Sequence, residues 1–459
     1  MDHISRPVIE DIKEDLVPLI EERRGGALQT ILLDLHPADI AEFVNILSDD
    51  DDQKYIFELM REAGLGSAIL VELPSAVRDR LIEDLPSPEL ADLVEDMSSD
   101  DAADLVQDLP EGRAQEVLQD VEAAEAEAFK PLLHYGEETA GGIMASEILA
   151  VDRNQTVADA AALVRSHGEE LEPFFFVYVL DADQRLLGVL SLKDLVLHDP
   201  RTNAYDACDR EPVTVPVDMD QEAVANIVRR YDLLAVPVVD SSGRLLGRIT
   251  IDDVVDVMRE EADEDLARMV GTDEEEFSET SVRRIALFRL PWILASLGGG
   301  MVSGLLLNHF AAVLAMALSL IAFVPVITAM GGNSGSQAAI TMVRLLALRR
   351  LSRRQVASIV WREARVGMLL GFLSGGILAL VALLWKGSWF YGVAVGVAMA
   401  SAILVAVTMG ALIPVLFKRL KVDPAIATGP FVSASNDATG LLIYFGVAIL
   451  LLRFTGGTP

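Results

Sequence analysis

The residues best suited to chemistry in this chain are carboxylates, and one of them stands where carboxylates are rare. Residues 431–452 read as a helix of the length a bilayer demands. Yet Asp437 lies inside that span, preceded by Ser433, Ser435 and Asn436. An acid at membrane depth costs roughly 2.5–3.5 kcal/mol, so such a residue faces a pathway or a partner. Two readings are open: a protonated side chain bonded to a neighbouring helix, or a cation site in a pore. A second polar group follows Pro325 in the stretch FVPVITAMGGNSGSQ. Pro325 with Gly331, Gly332 and Gly335 predicts a kink or break at membrane depth, tolerated only where backbone lines a cavity or is buried in protein. Asn333, Ser334, Ser336 and Gln337 would supply neutral oxygens there; taken alone, Asn333 also fits a polar helix-packing seam. Mg2+ sheds water reluctantly. A pore of carbonyls, amides and one carboxylate can hold the hydrated ion through its waters.

A third group is the run VVDVMREEADEDLARMVG, in which Asp253, Asp256, Glu260, Glu261, Asp263, Glu264 and Asp265 crowd together. Asp253, Asp256 and Glu260 share one helical face, and Glu261, Glu264 and Asp265 another. Like charges at this spacing repel unless cations intervene, although a bare acidic run is also compatible with plain solvation. Its place directly before a membrane domain favours regulation.

Five apolar segments follow, roughly 286–307, 311–331, 364–384, 390–417 and 431–452. Arg283, Arg284 and Arg289 precede the first; Arg349, Arg350, Arg353 and Arg354 lie between the second and third. Lys418, Arg419 and Lys421 follow the fourth, while the opposite loops are nearly free of Lys and Arg. This asymmetry predicts a cytoplasmic N-terminal part and an outside C-terminus at the plasma (bacterial inner) membrane. The opening MDHISRPVIEDIKEDL lacks the apolar core of a signal peptide, consistent with that orientation. In the first segment Gly300 and Gly304 allow close helix contact.

Charge divides the same way. The net charge is −33, but from Val282 onward 15 basic residues face three acids, Glu363, Asp423 and Asp437. The acidic front half excludes a nucleic-acid footprint. A lone Cys208 excludes an intrachain disulfide and a cysteine-based zinc site. Residues 1–135 repeat Leu, Ile and Val at helical spacing with acids opposite, broken by Pro and Ser-Asp pairs, and predict short stacked helices. Residues 171–197 and 232–258 are visibly the same unit: strand, D-x-x-x-R-L-L-G turn, second strand, helix.

That repeat resembles a tandem pair of CBS domains, with the G-h-h-S/T-x-x-D signature at Gly188–Asp194 and Gly247–Asp253. The resemblance implies an adenine nucleotide such as ATP, with Asp194 on the ribose and Ser191 and Lys193 near phosphate. A cap for the following helix accounts for Ser191 and Asp194 equally. The unusually aromatic strand PFFFVYV departs from the pattern at the adenine contacts.

The whole order resembles the MgtE magnesium channels: an acidic helical domain (1–135), CBS domains (136–200 and 201–257), an acidic connecting helix (253–275) and five membrane helices (283–455). The specific motifs are GGNSGSQ (331–337) and DPAIATGPFVSASNDATGLLIYFG (423–446). The fold class expected is therefore a multi-domain membrane protein with an all-α superhelix, an α/β CBS pair and transmembrane α-helices. The resemblance implies a homodimer in lipid, with Mg2+ passing along the two-fold axis and Asp437 as the selectivity carboxylate. It implies Mg2+ held at the cytoplasmic mouth by Glu261, Glu264, Asp265 and Asp423. Asp220, Glu222, Asp232, Asp253 and Asp256 match the CBS-side acids, and Asp100 and Asp104 the N-domain acids facing them, with Asp101 an equally good neighbour. Cytosolic Mg2+ would bridge these acids and close the pore; without it they repel and open it.

The rival transport reading is a divalent-cation (Mg, Mn or Co) secondary transporter coupled to an ion gradient. A chloride channel is disfavoured because the CBS pair precedes only five spans. An enzyme is not expected, since no nucleophile–base pair or phosphate loop is present.

Overall fold

The computed structural model describes residues 16–167, 174–277, 281–310, 318–348 and 351–454. Expectations for 311–317, Arg349, Arg350 and residues 171–173 lie outside them. Two compact units divide the chain, Met1–Glu261 and Ala262–Pro459.

The first unit opens with short helices, most of 6–12 residues, each ended where the sequence supplies a stop. Asp49 caps Asp50–Arg61 by accepting from the Asp51 and Asp52 amides, and Pro74, Pro86 and Pro110 each precede a new helix. A proline there supplies extended backbone and needs no donor. Two of these helices matter below, α1 (Ser75–Ile82) and α2 (Ser99–Asp108). Leu28, Ile40, Phe43, Ile56, Leu90 and Val117 are fully buried in one core, which continues without a gap into Val224, Val236 and Ile249 of the second α/β module. The helical front end and that module therefore fold around one apolar interior. The first module keeps its own core around Val151, Val177, Val179 and Leu190.

Both modules have one topology. β1 (Ala150–Asp152) runs parallel to β2 (Phe176–Leu180), which pairs antiparallel with β3 (Leu186–Ser191). β4 (Val215–Pro216), β5 (Ala235–Val239) and β6 (Leu245–Thr250) repeat this order. The register places Phe176 opposite Ser191 and Ala235 opposite Thr250, so the two hydroxyls end equivalent strands. Gly188 and Gly247 allow the chain to cross: a Cβ would lie 2.5 Å from the carbonyl of Asp209 or Ala145, respectively. The crossover helices are α3 (Val157–His167) and α5 (Gln221–Tyr231), and α4 (Leu192–Leu197) follows β3.

After β6 comes the acidic helix α6 (Ile251–Val270). It stops earlier than the expected residue 275. Gly271 takes φ +82° and, with Thr272, returns its amide to Ala267, a glycine-dependent helix stop.

The second unit holds long helices: α7 (Val282–His309), α8 (Val324–Leu348), α9 (Arg353–Lys386), α10 (Trp389–Arg419) and α11 (Pro430–Phe454). Among the described residues, α7, α9, α10 and Phe431–Phe454 of α11 are long and apolar enough to cross a membrane. α8 is long enough but carries the polar GGNSGSQ stretch. α9 and α10 form a hairpin through Gly387 (φ +66°) and pack along a small-residue seam. A Cβ on Gly371 would lie 2.7 Å from the Ala400 carbonyl, and one on Gly375 2.6 Å from that of Gly396. Such close backbone approach holds helices together where lipid offers no hydrophobic drive.

The expected break at Gly331–Gly335 is absent. α8 runs unbroken from Val324 to Leu348, and the irregular backbone lies earlier, in the 3-10 turn Leu318–Phe323. Pro325 is the second helical residue, where no amide donor is needed. The glycines serve packing instead: a Cβ on Gly335 would collide with the Asn436 amide, and one on Gly410 with the Gly335 carbonyl.

Candidate functional site

Asp437 sits two turns into α11, which packs against both α8 and α10. Its Oδ1 lies 3.9 Å from where a Cβ on Gly332 would be, so the carboxylate approaches the GGNSGSQ stretch across a glycine gap. Ser433, one turn earlier on the same face, is half-buried, whereas Ser334 and Asn436 are buried. Asn333 is exposed, and so are Gln337, Thr341 and Arg344. These four recur at i, i+4, i+8 and i+11 and form one polar stripe along α8. Facing lipid, that stripe would be expensive; it suits water or a second copy of the chain. Thr341 and Arg344 escaped the sequence reading because a broken helix was expected there, which hid the periodicity.

At the end of α6 three of the expected acids come together. Arg268 forms ion pairs with both Glu264 and Asp423. Asp423 also accepts from the Ala425 amide at 2.8 Å. Burial raises the pKa of Asp265, and the Asp423 charge raises it further. Close packing fixes this end: a Cβ on Gly429 would lie 3.2 Å from the Met269 carbonyl. The resemblance implies a bound cation at these acids, and Arg268 already supplies one positive charge there.

In the first unit, α2 brings Asp100 within electrostatic reach of both Asp253, at the start of α6, and Asp104, one turn further along α2. Asp100 is only 8% exposed. Ser99 ties this region to the first module, donating to Glu147 at 2.9 Å and accepting from the Ser146 amide at 2.8 Å. Burial, then the Asp100, Asp101 and Asp108 charges, pushes Asp104 up to about 8. Burial and Asp100 likewise raise Asp253 and Asp101. The nearby cation is Arg78 of α1, ion-paired with Asp108. Folding has concentrated negative charge here, and the raised values mean that the site binds protons, or another cation, well above the ordinary carboxylate range.

Other expected residues are dispersed. Asp220 caps α5 by accepting from the Ala223 amide at 3.1 Å, with Glu222 in the first turn. Asp232 takes φ +52° at the far end of that helix, about 18 Å from Asp220 at 1.5 Å per residue. Glu261 accepts from Gln221 at 2.9 Å, which brings it to the Asp220 end. Asp256 is exposed. Among the described residues, no three carboxylate, imidazole or thiol groups lie close enough to hold a metal ion directly. Ser191 and Asp194 form a capping box for α4: the Asp194 amide donates to the Ser191 hydroxyl, while Asp194 Oδ2 accepts from the Ser191 amide at 2.9 Å. Thr250 and Asp253 repeat the carboxylate half of that bond pattern in the second module. Lys193 is exposed beside the first cap.

The family models match in the same order. Residues 324–447 match the divalent cation transporter MgtE, 35–138 the MgtE intracellular N domain, and 140–200 and 204–260 the CBS domain. The magnesium transporter MgtE of Enterococcus faecalis is 38% identical over 330 residues, 72% of this chain and 73% of that one. The chain belongs to the MgtE family of magnesium transporters. MgtE of Thermus thermophilus is 39% identical over 332 residues, again 72% and 73% of the two chains. The soluble part of a magnesium transporter superposes with a TM-score of 0.50 at 31% identity, covering 56% of this chain and all of that one. The cytosolic domain of the Mg2+ channel MgtE in complex with ATP gives the same score and identity, covering 55% of this chain. With MgtE membership come Mg2+ as the transported ion and a membrane location for the apolar helices.

Proposed function

We propose that this chain is a Mg2+-selective channel, conducting past Asp437 and closed by cytosolic Mg2+. The observation that carries the reading is the Asp437 carboxylate set across a glycine gap from the GGNSGSQ stretch of α8. An exposed polar stripe on a membrane helix is best accommodated on the axis of a homodimer, where two copies of Asn333, Ser433 and Asp437 surround water. Mg2+ keeps several waters when bound by one or two carboxylates. Helix oxygens, rather than a broken backbone, would hold it through those waters. All five long helices span in this reading, with the N-terminal unit cytoplasmic and the C-terminus outside.

Closure rests on the acids. Asp100, Asp104 and Asp253 in the first unit, and Glu264, Asp265 and Asp423 in the second, concentrate negative charge that protons and Arg268 offset only in part. Glu261, Asp220 and Glu222 form a weaker group, to which Asp232 and Asp256 do not belong. Mg2+ bound at these places favours the closed state by its differential affinity for it. Moving a gate from 1:99 to 99:1 needs about 5.5 kcal/mol, which several weak sites can share.

The ATP-bound relative supports an adenine nucleotide at the CBS pair. Both bonds of the cap carboxylate fall on Asp194 Oδ2, which leaves Oδ1 to a ribose and exposed Lys193 to phosphate. The test is Mg2+ flux into proteoliposomes for the wild type and Asp437→Ala, with Mg2+ varied on the cytosolic side. Lost flux in the variant and closure of the wild type as Mg2+ rises are expected. Unchanged flux in Asp437→Ala sinks the pore assignment, and flux that requires a proton or sodium gradient sinks the channel.

A further inference from the structure

Asn436 is the residue that the pore reading leaves unused. It is 3% exposed, and among the described residues its Nδ2 has no hydrogen-bond partner. A buried, unpaired amide is costly and calls for a reason. Its surroundings give one. The amide is wedged where α8, α10 and α11 meet, against Gly335, whose Cα region also faces the Ala406 carbonyl. A Cβ on Gly335 would lie 3.1 Å from that carbonyl and would collide with Nδ2. Gly410 closes the crossing from α10, with room for nothing larger.

Gly332 and Gly335 are one turn apart on the same face of α8, and consecutive residues of α11 meet them. Asn436 fills the gap at Gly335, while Asp437 approaches the gap at Gly332. The depth and rotation of the carboxylate are therefore set by how the amide seats. Each residue of slip along a helix is about 1.5 Å, and each step turns the side chain by about 100°. A shift of that size decides whether a carboxylate meets an ion through water or directly.

We infer that Asn436 is a positioning residue for ion discrimination. Seated in the Gly335–Gly410 crossing, it holds Asp437 back so that the permeating ion keeps its waters. Mg2+ dehydrates reluctantly and is bound in that manner. Mn2+ and Co2+ accept direct ligands more readily and gain when the carboxylate is free to advance. The inference rests on the pore reading above.

The experiment measures Mg2+ and Mn2+ flux in proteoliposomes for the wild type, Asn436→Leu, Asn436→Ala and Gly335→Ala, each normalised to correctly assembled protein. Asn436→Leu keeps the branching and removes the polar group, Asn436→Ala removes it without adding bulk, and Gly335→Ala keeps Asn436 and displaces it. A several-fold rise in the Mn2+-to-Mg2+ flux ratio is expected in the Asn436 variants, with Gly335→Ala in the same direction. A merely structural role would lower both fluxes together. A wild-type ratio in assembled Asn436→Leu and Asn436→Ala overturns the inference, whatever Gly335→Ala does. Asp437→Ala separates the two failures: if it retains flux, the pore reading has failed; if it loses flux while the ratio in the Asn436 variants is unmoved, only this inference has.

Discussion

Arg268 is the residue on which gating should be most sensitive. Its guanidinium serves both Glu264 and Asp423, so part of the counter-charge at the end of α6 is built in. Removing it leaves those acids with mutual repulsion, and dissolved Mg2+ must then supply all of the compensation. Arg268→Ala should raise flux at very low cytosolic Mg2+ while leaving closure at high Mg2+ intact. A partly exposed ion pair contributes up to about 1 kcal/mol, roughly a fivefold change in the open-to-closed ratio. Liposome flux at zero and at saturating cytosolic Mg2+ reads this directly; equal flux at zero Mg2+ would show that Arg268 has no part in closure. Ser191 teaches a different lesson. Its hydroxyl and the Asp194 carboxylate were legible as a signature, but the signature is compatible with both a helix cap and a nucleotide, and folding makes the cap.

At the scale of elements, the two repeats allow a comparison inside one molecule. Thr250 donates through its amide and hydroxyl to Asp253 at the start of α6. Thr250→Ala keeps the β6 backbone and removes the hydroxyl bonds to Asp252 and Asp253, with an expected loss of about 1 kcal/mol, the ordinary net worth of a hydrogen bond. Hydrogen exchange of the α6 amides checks this: protection should fall over the first turns of α6 and hold in β6. The α9–α10 seam gives a second prediction. Gly371 faces the backbone of Ala400 with no room for a side chain. Gly371→Leu should overpack the hairpin and cost at least about 1–3 kcal/mol, seen as a lowered Tm in detergent. An unchanged Tm would mean that the two helices separate freely. The glycines of α8 were visible in the sequence as well, and there periodicity lost to composition. Glycine is read as a breaker, yet in a crowded membrane bundle its missing side chain is what keeps the helix continuous and close to its neighbours.

For the whole molecule, crowded acids make stability depend on protons and Mg2+ together. Asp104 has a folded-state pKa of about 8 because of burial and neighbouring carboxylates, far above an unfolded value of about 3.9. Between those values the folded chain holds a proton that the unfolded chain releases, so folding is favoured at low pH. Without Mg2+, the first unit should lose stability as pH rises from the ordinary carboxylate range to about 8, and level off above it. Mg2+ can replace those protons, so its stabilising effect should be larger at pH 8 than at pH 6. Limited proteolysis of the full-length protein at both pH values, with and without Mg2+, measures the difference. A protection by Mg2+ that is equal at both pH values would mean that Mg2+ acts elsewhere.

Much of this protein is written locally. The acidic front half, the repeated α/β unit, the apolar spans and the intramembrane carboxylate each follow from a few neighbouring residues, because periodicity and charge act over one or two turns. Membership of a transporter family was legible from two short stretches for the same reason. Three things required the folded chain. The polar stripe ending in Thr341 and Arg344 appears only once α8 is continuous. The approach of Asp100 to Asp253 depends on a core shared between distant segments. The seating of Asn436 against Gly335 depends on three helices crossing at one point. The last two are contacts between residues far apart in the chain, and no local pattern specifies which distant groups will share a buried space.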